Sequence, residues 1–120
     1  MTRRGFLLVI LLLLALFFIF GDPIQWGLNI AKRVDQTNPQ RTGARLVEKY
    51  ECLNCHRITN AGAYFGPELT CILHRDSETN VRNWLRNPRS MNPNTHMPRF
   101  WLSESEITAL LAYLQFECPQ

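Results

Sequence analysis

The residues with the most chemistry in this 120-residue chain are Cys52-Leu53-Asn54-Cys55-His56. Thiols three positions apart lie on one helical turn, where each can add across a vinyl group of a porphyrin. The adjacent imidazole can then point at the iron, so the C-x-x-C-H pattern reads as the attachment site of one covalent haem c. Such attachment retains a cofactor in a domain too small to enclose it by contacts alone. Two other uses of a thiol pair fit less well. A thioredoxin-like dithiol needs a βαβ scaffold, and a structural zinc site needs four clustered ligands. Cys71 and Cys118 are too isolated in sequence to supply a second C-x-x-C.

With His56 as the proximal ligand, a six-coordinate iron needs one more donor, and Met91, His96 and Met97 stand downstream. Met97-Pro98 lies just before the last helical pattern, which returns the chain to the face opposite His56. A thioether there raises the reduction potential, as an electron carrier requires. Met91 reads as a surface or gap-filling residue of an Asn/Pro-rich loop. His96 is either a substitute ligand or a nearby hydrogen-bonding group.

These groups need elements to position them. Thr42 can cap a helix running from Gly43 into the haem motif, with Leu46, Val47 and Tyr50 on one face. Ser77 or Thr79 opens a shorter helix with Val81, Trp84 and Leu85 inward, ending before Pro88. Ser103 with Glu106 forms a capping box ahead of the stripe Ile107, Leu110, Leu111, Leu114, which runs to about Phe116. The two terminal helices are expected to pack together, with Gly43 allowing close approach near Tyr113. No segment alternates with period two, so the expected fold is all-α.

The first residues are a different material. Arg3 and Arg4 precede an apolar run, and Gly5 to Gly21 is free of charge over seventeen residues. As a helix that run covers about 25 Å, close to the roughly 30 Å hydrocarbon core. No small-x-small cleavage site follows it and no cysteine stands at its end to take a lipid, which favours an uncleaved anchor over a signal peptide. Thr2-Arg3-Arg4-Gly5-Phe6-Leu7 also resembles a twin-arginine export signal, although arginines before any anchor look the same. The expected topology is single-pass, N-terminus cytoplasmic, with the haem domain on the periplasmic side. Residues 1–21 form the transmembrane anchor, 22–41 an interfacial segment and linker, and 42–120 the haem domain. Within the middle segment Ile24, Leu28, Ala31 and Trp26 suit a helix along the headgroups, and 35–41 reads as linker.

Net charge is +3, and setting Arg3 and Arg4 aside leaves eleven basic against ten acidic side chains. Nucleic-acid binding has no support at that balance. Basic residues do outnumber acids between Arg75 and Arg99, while Glu104, Glu106 and Glu117 stand unopposed after residue 100. That asymmetry suits a solvated surface or a docking face for an acidic partner.

A short helix ending in C-x-x-C-H, then Gly66-Pro67-Glu68-Leu69, a tryptophan helix, Met97-Pro98 and a last helix with Ala112-Tyr113-Leu114 resembles the class I cytochrome c family over residues 42–116. The resemblance implies that the Pro67 carbonyl accepts a hydrogen bond from His56 Nδ1–H. It also implies that Leu69 and Trp101 pack on the porphyrin. Gly62-Ala63-Tyr64-Phe65-Gly66-Pro67-Glu68-Leu69, with the anchor and Pro39-Gln40-Arg41-Thr42, is similar to the haem-c small subunits of nitric-oxide reductases. In those complexes the small subunit takes electrons from a soluble donor and passes them to a b-haem subunit. Anchored monohaem cytochromes also serve quinol-oxidising complexes such as alternative complex III, and terminal oxidases.

The expected function is therefore non-catalytic. The chain would pass single electrons as a subunit of a larger respiratory or photosynthetic membrane complex, between donor and acceptor proteins beside the bilayer. An enzyme or gas sensor with an open iron position is the competing class, and a Met97 ligand opposes it. Cys71 and Cys118 fall outside the family pattern. On the outer side of a membrane such a pair is expected to form a disulfide tying the loop after Leu69 to the C-terminus, the alternative being a buried free Cys71 and an exposed Cys118.

Overall fold

A computed structural model describes residues 3–119; Thr2, in the arginine motif, lies outside them. The chain begins with α1 (Arg3–Phe20), an 18-residue helix with mean hydropathy 2.4 and no buried residue. A run of leucine, isoleucine and phenylalanine left uncovered by protein over a span of about 27 Å suits a lipid surrounding. After Gly21 and Asp22 comes α2 (Pro23–Ala31), where the Asp22 carboxylate caps the helix by accepting from Gln25 N–H and Pro23 presets the first turn.

Next comes α3 (Pro39–Lys49), which starts one turn earlier than the sequence suggests. Asn38 is its cap, accepting from Arg41 N–H at 3.0 Å, and Pro39 fills the first helical position where its missing N–H costs nothing. Thr42, the cap expected from the sequence, instead donates its hydroxyl to the Asp35 carbonyl at 3.0 Å. This helix also stops short of the haem motif, because Tyr50 closes it and Glu51 turns left-handed at φ 53°.

A single 3₁₀ turn (Cys52–Asn54) follows, then two short antiparallel strands, β1 (Arg57–Ile58) and β2 (Ala61–Gly62), with Arg57 opposite Gly62 and Ile58 opposite Ala61. Two residues per strand are too few to leave a period-two signature, which is why the sequence reads as helix and loop throughout. The remaining elements are helices joined by loops: α4 (Ile72–Arg75), α5 (Glu78–Arg86), α6 (Pro88–Met91) and α7 (Glu104–Phe116). Ser77 caps α5, and Ser103 and Glu106 form a complete capping box on α7.

The core sits where α3 crosses α7. Leu46 and Val47 meet Ile107, Leu110, Leu111 and Leu114, all nearly inaccessible. The crossing is close because Gly43 has no side chain: a Cβ there would strike the Ala109 carbonyl oxygen and come within 2.6 Å of Tyr113 Cβ. At the same junction the Glu106 carboxylate is fully buried, accepting from Ser103 N–H at 2.9 Å and Tyr50 hydroxyl at 2.7 Å, with Lys32 Nζ at 3.4 Å. Burial by itself would raise its pKa, but the Ser103 and Tyr50 hydrogen bonds and the Lys32 charge prevail and hold it below the usual carboxyl range.

Two contacts shape the surface. The 22–41 segment, expected as interfacial helix and linker, is also held to the domain: Gln25 Nε2 donates to the Leu102 carbonyl at 3.0 Å, and Val34 N–H to Ser105 Oγ at 3.1 Å. In the basic stretch Arg82 and Arg86 both pair with Glu104, at 3.2 and 2.7 Å, so two of its five arginines are tied to one carboxylate across the α5–α7 contact. Cys71 and Cys118 form a disulfide with their Cα atoms 4.6 Å apart, linking the start of α4 to the end of α7.

Candidate haem site

The Cys52–His56 turn is built from backbone geometry first. Left-handed Glu51 reverses the chain out of α3, and the Cys52 carbonyl accepts from both Cys55 N–H at 3.2 Å and His56 N–H at 2.9 Å. That closes one tight turn and sets the two free thiols and the imidazole beside one cleft. The following loop folds back over the turn, with Ala63 N–H bonded to the Leu53 carbonyl at 3.0 Å and Gly66 N–H to the Cys55 carbonyl at 2.7 Å.

His56 is held on two sides. Its Nδ1 lies 2.8 Å from the Pro67 carbonyl oxygen. A carbonyl only accepts, so Nδ1 carries the proton and Nε2 keeps its lone pair for a metal. Gly66 lies against the ring, where a Cβ would come within 2.6 Å of Cε1 and 2.8 Å of Nδ1. Position 66 therefore lies against the imidazole, and only glycine leaves room for the ring.

The cleft has a volume of about 680 Å³ and its lining is mostly apolar. Tyr50, Leu69, Ile72, Val81, Trp84, Leu85, Phe100, Leu110 and Leu114 supply the walls, from the end of α3, from α4, α5 and α7 and from the loops between them. His56, Cys52 and Cys55 stand on one part of the rim; Asn92, Asn94, Thr95, His96, Met97 and Pro98 contribute a strip from the loop after α6. Met91 ends α6 and is not among the lining residues, so His96 and Met97 are the downstream donors that the fold brings to the cleft.

A flat, largely apolar macrocycle fits this arrangement: two unpaired thiols, an imidazole with the correct nitrogen free, an apolar slot and a thioether on its wall. Burial pushes the Cys52 thiol up, aided by the neighbouring Cys55, against a smaller opposing hydrogen-bond effect. Tyr50 is raised too, first by burial and then by its bond to Glu106, and remains a neutral donor at the cleft.

Trp101 does not take the place the resemblance implies. It lies outside the cleft lining, 44% exposed, with the Arg99 guanidinium 3.8 Å above its ring. Phe100 and Leu102 face the cleft instead, and Phe100 packs on Tyr50 at 5.4 Å between ring centroids. Neighbours in a non-helical run point to opposite sides, and Trp101 is itself left-handed at φ 55°. Phe100, Trp101 and Leu102 are all large and apolar, so no sequence signal separates the inward residues from the outward one. Phe65, 89% exposed yet on the cleft rim, carries no such signal because a loop placed it there.

The nitric oxide reductase C-subunit of Paracoccus denitrificans is 34% identical over 60% of this chain and 54% of its own length. Its counterpart from Stutzerimonas stutzeri is 27% identical over 74% and 73%. Cytochrome c oxidase subunit 2 of Alkalihalophilus pseudofirmus is 29% identical over 61% of this chain but 24% of its own length. The chain thus spans about a quarter to about three quarters of these relatives, and about half of three of the reductase proteins. The cytochrome c family model matches residues 40–116, from the first turn of α3 to the last residue of α7. That match takes in the whole cleft, and the chain belongs to the cytochrome c family of electron-transport haem proteins.

Proposed function

We propose that this chain is a membrane-anchored monohaem cytochrome that passes single electrons within a larger membrane redox complex, as the electron-entry subunit of a nitric-oxide-reductase-type assembly. The observation that carries the reading is the union, on one chain, of a cleft suited to haem c and an uncovered apolar helix of 18 residues. A freely diffusing shuttle has no use for the second. The reductase relatives favour that assembly, and the Stutzerimonas match extends furthest along both chains among those compared. Arg3 and Arg4 ahead of α1 favour an N-terminus in the cytoplasm and a cleft on the periplasmic side.

In this reading Cys52 and Cys55 would hold the haem by thioether bonds, and His56 and Met97 would supply the donors to its iron. The group would provide one-electron redox chemistry when bound. The chain's own residues do the rest. Pro67 fixes the His56 tautomer, Gly66 sets the plane of the ring, and Leu69, Leu85 and Phe100 keep water from the slot. With His56 and Met97 both serving as donors, no position would be left open for a substrate, which supports a carrier over a catalyst.

Purification from native membranes in mild detergent, followed by mass spectrometry of what accompanies the chain, tests the assembly. A b-haem catalytic subunit is expected. The oxidase relative gives the second reading, in which other cytochrome c oxidase subunits accompany the chain instead. Multihaem c-type and iron–sulfur subunits would place it in a quinol-oxidising complex. Rapid carbon monoxide binding by the native ferrous protein would overturn the carrier role.

A further inference from the structure

The helix α2 is amphipathic in the reverse of the usual sense. Gln25, Leu28, Asn29 and Lys32 recur at helical spacing and are buried or half-buried, whereas Ile24, Trp26, Gly27, Ile30 and Ala31 are exposed. The face turned to the protein is mainly polar, and the face turned away is wholly apolar. A surface helix in water has the opposite arrangement, because exposing apolar area there is unfavourable.

Each polar side chain of the inner face has a partner at the start of α7 or in the run leading to it. Gln25 Nε2 donates to the Leu102 carbonyl at 3.0 Å, and the Asn29 side-chain oxygen accepts from Glu104 N–H at 2.8 Å. Lys32 Nζ donates to the Trp101 carbonyl at 2.7 Å and pairs with Glu106, while Ser103 Oγ donates to the Lys32 carbonyl at 2.8 Å. The segment gripped is 101–106. It continues directly from Met97, Pro98 and Phe100, which line the cleft.

We infer that α2 lies in the bilayer interface with Ile24, Trp26 and Ile30 toward lipid, and that its polar face clamps the haem domain to the membrane in one orientation. The occupant of the outer face follows from continuity: only Gly21 and Asp22 separate α2 from the apolar helix α1, so the same membrane surface meets both. Tryptophan and isoleucine on that face suit the headgroup–acyl boundary. The inference rests on the anchoring reading above and goes beyond it. An anchor on a loose linker leaves the cleft free to tumble, whereas this clasp presents it at a fixed angle to whatever partner shares the membrane.

Nitroxide labels on the haem-loaded full chain in phosphatidylcholine–phosphatidylglycerol nanodiscs test this. With Cys52 and Cys55 bound to haem and Cys71 to Cys118, an introduced cysteine is the one free thiol. Labels at Leu12→Cys, Ile30→Cys and Gln36→Cys are compared for collision with oxygen, which concentrates in lipid, and with a neutral nickel chelate, which stays in water. Severalfold preference for oxygen is expected at positions 12 and 30 and the reverse at 36. A lipid-like Leu12 with a water-like Ile30 overturns the inference while leaving the anchor intact, and assigns the apolar face to a partner protein. Water-like behaviour at both positions overturns the anchor and the inference together.

The clamp has its own readout, the distance between haem iron and the nitroxide at position 12. One narrow distribution is expected, broadening in the Gln25→Ala/Asn29→Ala double variant with no loss of haem absorbance. A broad distribution in the parent chain, or an unchanged one in the variant, overturns the fixed orientation.

Discussion

At the scale of single residues, the site depends on atoms that give His56 one orientation. Gly66→Ala puts a methyl group within 2.6 Å of the imidazole, so the ring must tilt or the loop must move. Overpacking of that kind costs roughly 1–3 kcal/mol. We expect a lowered melting temperature and an altered reduction potential with the haem still attached, read by thermal melts and redox titration. The distal ligand gives a second prediction. Met97→His should retain haem and lower the potential by an appreciable part of the roughly 0.8 V range that axial ligands span. Because Met91 is outside the cleft lining, an unchanged potential would assign the ligand to His96.

At the scale of elements, Glu106 joins α7 to α3 and to the segment after α2. Its carboxyl is acidified in the fold, so its contribution to stability has a definite sign with pH. It is fully present above about pH 5, beyond the unfolded titration range, and is lost as pH falls through the lower folded value. Glu106→Gln should therefore cost about 2 kcal/mol at neutral pH, through weakened bonds to Ser103 N–H and Tyr50 hydroxyl. It should also flatten the acid limb of stability. Chemical denaturation of parent and variant at pH 3 to 7 measures both effects, and parallel pH curves would contradict the assignment. By contrast the partly exposed Arg82–Glu104 and Arg86–Glu104 pairs should contribute about 1 kcal/mol or less each.

At the scale of the whole molecule, the disulfide closes a long loop around the cleft. Cys71 and Cys118 are 47 positions apart, and the chain between them contains α5, α6, the Met97 strip and all of α7. Linking them restricts the unfolded chain over most of the domain, an effect of about 2–4 kcal/mol. The Cys71→Ser/Cys118→Ser variant should still attach haem through Cys52 and Cys55 but unfold at lower denaturant concentration. A non-reducing digest of the parent should contain a peptide joining the two cysteines, and alkylation of both without prior reduction would show the bond to be absent.

Much of this was legible before any coordinates. The Cys52-x-x-Cys55-His56 motif, the Ser103–Glu106 box, the apolar stripe of α7 and the run of α1 are local patterns, and local patterns are written in consecutive residues. The identity of the cofactor and the helical class follow from them. What sequence could not decide is where a chain without regular periodicity turns its side chains. Left-handed backbone at Glu51 and Trp101 ended α3 early and turned Trp101 out of the cleft in favour of Phe100. The contacts of the 22–41 segment with the haem domain were not legible, because its partners, from Leu102 to Ser105, are about seventy residues away. Periodicity reports which face of an element is buried, and only the tertiary structure says against what. For α2 that distinction mattered most, since its apolar face is the outer one.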